Sequence, residues 1–194
     1  MRLILALAFS LGLAGCGRPA TPSDVGLSLA QVSPRDPAVS IDLVCAGFAP
    51  NARIDPRYAI MNRSPPLSWT PAPGAGAYAI ILEDPDAPTA APFVHWLIWN
   101  IPGSVISLPE GLPAVAGLAA PPGAVQGRND TGGFGYYGPH PPSGPAHHYH
   151  FQIFALDGPL PLRSDADIHA LVSAMQGHVL ADGELVGTFQ APGR

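Results

Sequence analysis

Three apolar runs constrain this chain more than any other feature: residues 77–84, 93–101 and 147–156. The first, Ala77-Tyr78-Ala79-Ile80-Ile81-Leu82-Glu83-Asp84, is apolar on both faces until its end. That pattern fits a strand covered on both sides, because a half-solvated strand would alternate apolar with polar residues. The other two runs have the same character. Between and around them lie the chain's 22 Gly and 25 Pro, which break regular structure and enforce turns and long ordered loops. A sheet buried on both faces needs other layers to cover it, so the runs call for one packed β-rich domain.

Bulk properties agree. A chain of 194 residues suits one ordinary domain. Hydrophobic residues make up 47 % and charged residues 12 %, which excludes a charge-rich disordered chain. Net charge is −5, every basic residue is Arg and no basic run exists, so nucleic acid is not an expected partner.

Period-2 alternation assigns faces within the strands. It groups His95, Leu97 and Trp99 against Val94, Trp96, Ile98 and Asn100. In the third run it groups His147, Tyr149, Phe151 and Ile153 against His148, His150, Gln152 and Phe154. Residues 39–45 and 185–190 read as a first and a last strand, and 51–66 as irregular structure. Ile168, Leu171, Val172 and Met175 follow the i, i+3, i+4, i+7 spacing of a helix with one buried stripe. Ser164 is its candidate N-cap and Gly177 its candidate terminator. Residues 102–138 show no periodicity, and a loop of that length is usually functional or ordered by packing.

The start of the chain reads as an export segment. Arg2 is the positive flank, residues 3–13 form a short apolar stretch, and Leu13-Ala14-Gly15-Cys16 puts small residues before a cysteine. The last four resemble a bacterial lipobox, which implies cleavage to leave Cys16 as a lipid-modified first residue. A plain signal peptide with an unmodified Cys16 is the alternative. The expected organisation is a signal peptide over 1–15, an acylated Cys16 with a Pro/Ser/Ala-rich tether over 16–37, and one domain over 38–194. Acyl chains would then hold the protein to a membrane of the bacterial cell envelope, on the periplasmic side. The outer membrane is favoured because no Asp follows Cys16. Cys45 would remain as a single thiol in an apolar stretch, a buried inert residue rather than a reactive one.

Ionisable side chains sit at the edges of the apolar runs. Asp84 and Asp86 lie in Asp84-Pro85-Asp86-Ala87-Pro88, His95 lies inside the second run, and residues 138–149 carry His140, His147, His148 and Tyr149 in a Pro-rich frame. Buried polar groups are costly unless paired or used, so their convergence suggests a pocket. Each also has a plainer reading. Asp-Pro and Asp-Ala-Pro are common turn formers, and a single His on an apolar strand is more often a satisfied core residue.

These segments, in this order, resemble the phosphatidylethanolamine-binding protein family, in particular its bacterial Raf-kinase-inhibitor-like branch. The resemblance runs from Ser64-Pro65-Pro66-Leu67-Ser68-Trp69 to Glu184-Leu185-Val186-Gly187-Thr188, and includes Gln126-Gly127-Arg128-Asn129-Asp130. It implies an α+β, β-rich fold: a large central sheet packed with a smaller one, with short peripheral helices near the C-terminus. It also implies a ligand pocket formed by Asp84, Pro88, His95, Pro142, His147 and Tyr149, with Asp86 close by and Gly138 letting the backbone approach the ligand. Many bacterial members carry Cys where this chain has His140.

The resulting expectation is a non-enzymatic binding protein for a small anionic or phosphoryl-containing headgroup, with no cofactor and no metal. Asp84 beside His95 would favour the charged imidazole, and anion binding would strengthen as pH falls toward the ordinary His range near 6.5. Two alternatives differ in class. One is a metal-dependent hydrolase using the His-rich 140–150 segment, with His148 and His150 as a pair on one strand face; a solvated polar face is the plainer account of those two residues. The other is a module that binds a protein partner through the pocket rim.

Overall fold

The structure, a computed structural model, describes residues 26–192. The expected signal peptide, Cys16 and the tether up to residue 25 lie outside the described residues.

Two antiparallel sheets carry the fold. The larger has the order β6 (Val125–Gln126), β4 (Phe93–Pro102), β3 (Ala77–Asp84), β7 (His147–Leu156), β8 (Val179–Phe189). The smaller has the order β1 (Leu43–Cys45), β2 (Leu67–Trp69), β5 (Ser107–Leu108). Every residue of central strand β3 is buried, as its unbroken apolar sequence requires. Tyr78, Ile80 and Leu82 point to one face, where the small sheet supplies Leu43, Leu67, Trp69 and Leu108. Ala77, Ala79 and Ile81 point to the other, where α3 (Ile168–Met175) supplies Leu171, Val172 and Met175. The molecule is thus three layers thick, with the large sheet in the middle. Burying each large aliphatic or aromatic side chain here contributes roughly 1.5–3 kcal/mol.

The alternation expected for β7 holds: Tyr149, Phe151 and Ile153 pack toward the small sheet, and Phe154 toward α3. In β4 it fails. Leu82 pairs with Trp96 and Glu83 with Val94, so His95 is an extra residue with no partner in β3. This bulge puts His95 and Trp96 on the same side of the sheet, while Leu97 and Trp99 join Val94 on the α3 side. The expected grouping of His95 with Leu97 and Trp99 is therefore incorrect.

Other boundaries also move. The α3 cap is Asp167, whose carboxylate accepts from Ala170 N–H at 2.9 Å, rather than Ser164. Gly177 does close the helix, at φ +75°. The last strand begins at Val179, earlier than expected, because Asp182-Gly183-Glu184 resembles a turn. Gly183 is needed there, since a side chain would collide with the Ile41 backbone crossing above. The presumed irregular stretch 51–66 holds α2 (Pro56–Ala59), and the aperiodic stretch 102–138 holds the short strands β5 and β6.

The expected tether over 16–37 also needs correction from Gly26 onward. Residues 28–31 form one helical turn, α1 (Ser28–Gln31), and Leu27, Ser28 and Val32 are buried. The segment is held by Glu83, whose Oε2 accepts from Ser28 N–H at 2.9 Å and from Gln152 Nε2 at 2.6 Å. Gln152 Oε1 accepts from Leu29 N–H at 2.6 Å. Burial raises the Glu83 pKa, against the opposing hydrogen bonds from Ser28 and Gln152. The Pro/Ser/Ala composition suggested a linker, but composition does not register two apolar residues that find a sheet to cover.

Candidate functional site

Where β3 runs out, Pro85 prevents the strand from continuing and the chain turns. Asp84 sits at this break, its Oδ1 accepting from Asp86 N–H at 2.9 Å and its Oδ2 facing β7. There it pairs with His147 Nδ1 at 2.8 Å, both side chains being over 90 % buried. His147 opens β7 beside Asp84, so two strand ends bring an acid and a base together without a loop having to fold onto them.

The bulge contributes His95. Its Nδ1 lies 2.9 Å from the carbonyl oxygen of Tyr137, and the Tyr137 N–H donates to the carbonyl of His95 at 3.0 Å. A ring nitrogen facing a carbonyl must carry hydrogen, so the other nitrogen of the neutral ring is a bare acceptor. Burial lowers the pKa of this imidazole, outweighing the Tyr137 carbonyl and the charge of Asp84. This differs from the expected effect of Asp84 in favouring a charged His95: the carboxylate is engaged with His147 instead.

Aromatic rings build the wall. Tyr137 lies nearly parallel to His95 (15°, centroids 5.6 Å) and to His140 (17°, 4.8 Å). Phe93 packs against His95 at 4.8 Å. A cavity of about 400 Å³ remains, lined by Asp84, Pro88, Phe93, His95, Tyr137 and His147, with Ala87, Thr89, His140, Pro141 and Pro142 completing the rim. The pocket is small, half open, aromatic on one side and imidazole-bearing on the other, which suits a compact ligand with an oxygen-rich end.

Of the expected site residues, Asp84, Pro88, His95, Pro142 and His147 meet at this cavity, and Asp86, Gly138 and Tyr149 do not line it. Tyr149 is fully buried beneath His95, ring to ring at 5.2 Å in an edge-on contact. Burial drives its hydroxyl pKa upward, and the neighbouring Asp84 carboxylate adds to the rise. Gly138 makes its close approach to protein rather than to a cavity: a side chain there would collide with the carbonyl oxygens of Tyr58 and Ala59. Its N–H donates to Asn62 Oδ1 at 2.9 Å. Asp86 faces outward and accepts from both the backbone N–H and Nδ1 of His148, at 2.8 and 2.7 Å. Burial opposes its ionisation, but those His148 bonds prevail and its pKa is lowered.

Sequence reasoning missed Phe93 and Tyr137. Phe93 counted only as the first residue of an apolar run. Tyr137 stood in an aperiodic Gly-rich stretch, where the adjacent aromatic pair Tyr136-Tyr137 was the one available signal.

The His148 and His150 pair does not form a metal centre. His148 bonds Asp86, whereas His150 is buried and bonds Glu184 Oε1 at 2.7 Å. Among the described residues no group of three or more His, Cys, Asp or Glu is arranged to hold a metal ion. The metal-dependent alternative therefore loses its geometric basis in this segment.

Known proteins share this architecture. Residues 46–190 match the family profile described as phosphatidylethanolamine-binding protein. A UPF0098 protein of Methanothermobacter thermautotrophicus is 43 % identical over 153 residues, covering 77 % of this chain and 99 % of that protein. The UPF0098 protein YbcL of Escherichia coli is 36 % identical over 132 residues, covering 66 % of this chain and 72 % of its own. Among solved structures, a phosphatidylethanolamine-binding protein homologue from Chlamydia trachomatis superposes with a TM-score of 0.71 at 32 % identity, covering 79 % of this chain and 99 % of that one. The E. coli YbcL structure gives 0.73 at 28 % identity, covering 79 % and 100 %. With the sheet order, the cavity at the strand ends and a profile match across most of its length, the chain belongs to the phosphatidylethanolamine-binding protein family.

Proposed function

We propose that this protein is a non-enzymatic binding module that holds a small anionic or phosphoryl-containing headgroup in the cavity between Asp84, His95 and His147. One observation carries the reading. The single carboxylate at the cavity is already bonded to His147, so its charge is engaged before a ligand arrives. The ligand then meets two imidazoles, which become donors to a phosphoryl oxygen once protonated. An anion and a proton bind together in such a site, so affinity should rise as pH falls. Because burial lowers the His95 pKa, the rise should continue below the ordinary His range near 6.5. Acylation at Cys16 would make the protein an exported lipoprotein of the cell envelope, and no cofactor is required.

The test is isothermal titration of phosphate and phosphoethanolamine, without metal, into the chain shortened to begin at Gly26 and into its His95→Ala variant. Saturable binding that the variant loses supports the reading. A folded parent that binds neither ligand between pH 5 and 8 overturns it, and weight then moves to a protein partner at the rim.

A further inference from the structure

The route of the N-terminal segment sets where the chain leaves the domain. Arg35 sits at the end of the large sheet remote from the cavity, its N–H donating to Val179 O at 2.9 Å and its guanidinium to Gly177 O. From there toward the N-terminus the segment crosses the sheet, meeting Gln152 at Leu29 and Glu83 at Ser28. Glu83 directly precedes the cavity residue Asp84. Gly26 then packs on Pro92, where a Cβ would stand 3.3 Å from the proline ring, and Pro92 directly precedes the cavity residue Phe93. The chain upstream of Gly26 therefore departs from the cavity end of the domain.

The length of that upstream chain now matters. Ten residue steps separate Cys16 from Gly26. Fully extended they reach at most about 36 Å, and as a flexible coil they average roughly 16–19 Å. The eight residues of β3 span about 26 Å from the cavity end to the opposite end. A chain anchored at Cys16 thus keeps the cavity end next to the bilayer at ordinary extension, whereas turning the opposite end to the bilayer would need it stretched well past its coil average, to about 26 of its ~36 Å. No basic patch is required for this orientation, and the rim offers Pro88, Pro141, Pro142 and Phe93 instead of charge.

We propose that the docked segment 26–32 and the short tether turn the cavity toward the membrane that holds the anchor, and that the phosphoryl group it takes is the headgroup of a lipid in that same bilayer rather than a dissolved phosphate. This rests on the headgroup-binding reading and on acylation of Cys16. The Glu83 and Gln152 contacts act as a clamp that fixes the exit point at Gly26, so the short tether yields a defined orientation.

The experiment uses the full acylated protein in vesicles of phosphatidylcholine with phosphatidylethanolamine, and in vesicles of a phosphate-free galactolipid. Hydrogen exchange is followed in the rim loops 84–93 and 138–147 and in the remote turns 70–76 and 157–163. The expected result is slowed exchange in the rim loops only, stronger on the phospholipid vesicles, and weakened by His95→Ala. Inserting about 30 Gly/Ser residues between Ser23 and Asp24 should lower the effective headgroup concentration about eightfold, since it falls as the −3/2 power of tether length, and the protection should fall with it. Protection of the remote turns, of neither region, or of the rim equally with the long tether overturns the proposal. An unacylated Cys16, read by mass spectrometry, also overturns it. Rim protection equal on both vesicle types means that the orientation holds and the headgroup reading fails. Rim protection on galactolipid vesicles that appears only with added inorganic phosphate assigns the ligand to solution and overturns the lipid source.

Discussion

Replacing Gln126 tests how the long loop is held against the site. Gln126 is 1 % exposed and is the hinge of strand β6. Its Oε1 accepts from the Trp96 indole at 2.8 Å, and its Nε2 donates to the carbonyls of Pro113 and Val115, each at 2.8 Å. One side chain thus ties the strand that carries His95 to the loop that later delivers Tyr137. Gln126→Leu preserves the approximate volume and deletes all three bonds. Each such bond contributes about 0.5–1.5 kcal/mol net, and each buried group left unpaired costs about 1–3 kcal/mol. Only the Trp96 N–H is left buried and unpaired, since Pro113 and Val115 are exposed and the Pro113 carbonyl also accepts from the Val115 N–H, so the expected loss is about 2–4 kcal/mol against the ~5–15 kcal/mol that holds a typical domain. Urea denaturation of the chain beginning at Gly26 reads it directly. Gln126→Glu supplies a second signature. It keeps an acceptor for Trp96 but sets a carboxylate against two carbonyls, so its penalty should be as large at pH 7 and should shrink on acidification, when a protonated carboxyl can donate again. A Leu variant within about 1 kcal/mol of the parent would refute the reasoning, because the unpaired Trp96 N–H alone should cost about 1–3 kcal/mol.

Three further outcomes are expected. Burial lowers the folded pKa of His95 below the unfolded value near 6.5. Below about pH 6.5 the unfolded chain therefore binds more protons than the folded one, and stability should fall with pH until the folded ring also titrates. Melting temperature against pH should be flatter for His95→Phe, and an unchanged slope would count against the assignment. Gly138→Ala should cost about 1–3 kcal/mol or more from its collision with the α2 carbonyls, whereas Gly158→Ala, facing open space, should stay within about 0.5 kcal/mol; equal effects at the two sites would remove the contact argument. Tyr137→Ala should weaken phosphate binding about tenfold or more by removing the face between two imidazoles, a loss of ~1.4 kcal/mol, while Tyr137→Phe keeps the ring and should bind like the parent.

Much of the fold was legible because β3 and β7 obey simple rules. An eight-residue apolar strand with no solvated face could only be the middle of a layered structure, and the alternation of β7 was uninterrupted. The α3 stripe was legible for the same reason, although its cap lay three residues further on. In β4 an inserted residue put His95 on the side of Trp96 rather than of Leu97 and Trp99, a second irregularity lies between Ile98 and Ile101, and a bulge has no signature in an apolar run. The acidic turn-like stretch in β8 concealed a strand, because Gly183 answers to a crossing backbone rather than to local propensity. At the site, the residues on strand ends were readable, while Tyr137 depended on tertiary contacts of a loop with no period of its own.

The bulge at His95 has a consequence for how this site can vary. A regular strand ties each position to its neighbours, so changing what faces a cavity normally means exchanging a residue that also belongs to a repeating core pattern. Here one position stands outside the pattern, like a spare character inserted in a line of text. The letters on either side keep their places in the core, and the inserted one alone is read by the pocket. Chemistry at residue 95 can therefore be rewritten with little disturbance to the sheet, and deleting that one residue would remove the bulge and the pocket's imidazole while Val94 and Trp96 kept their partners and their faces.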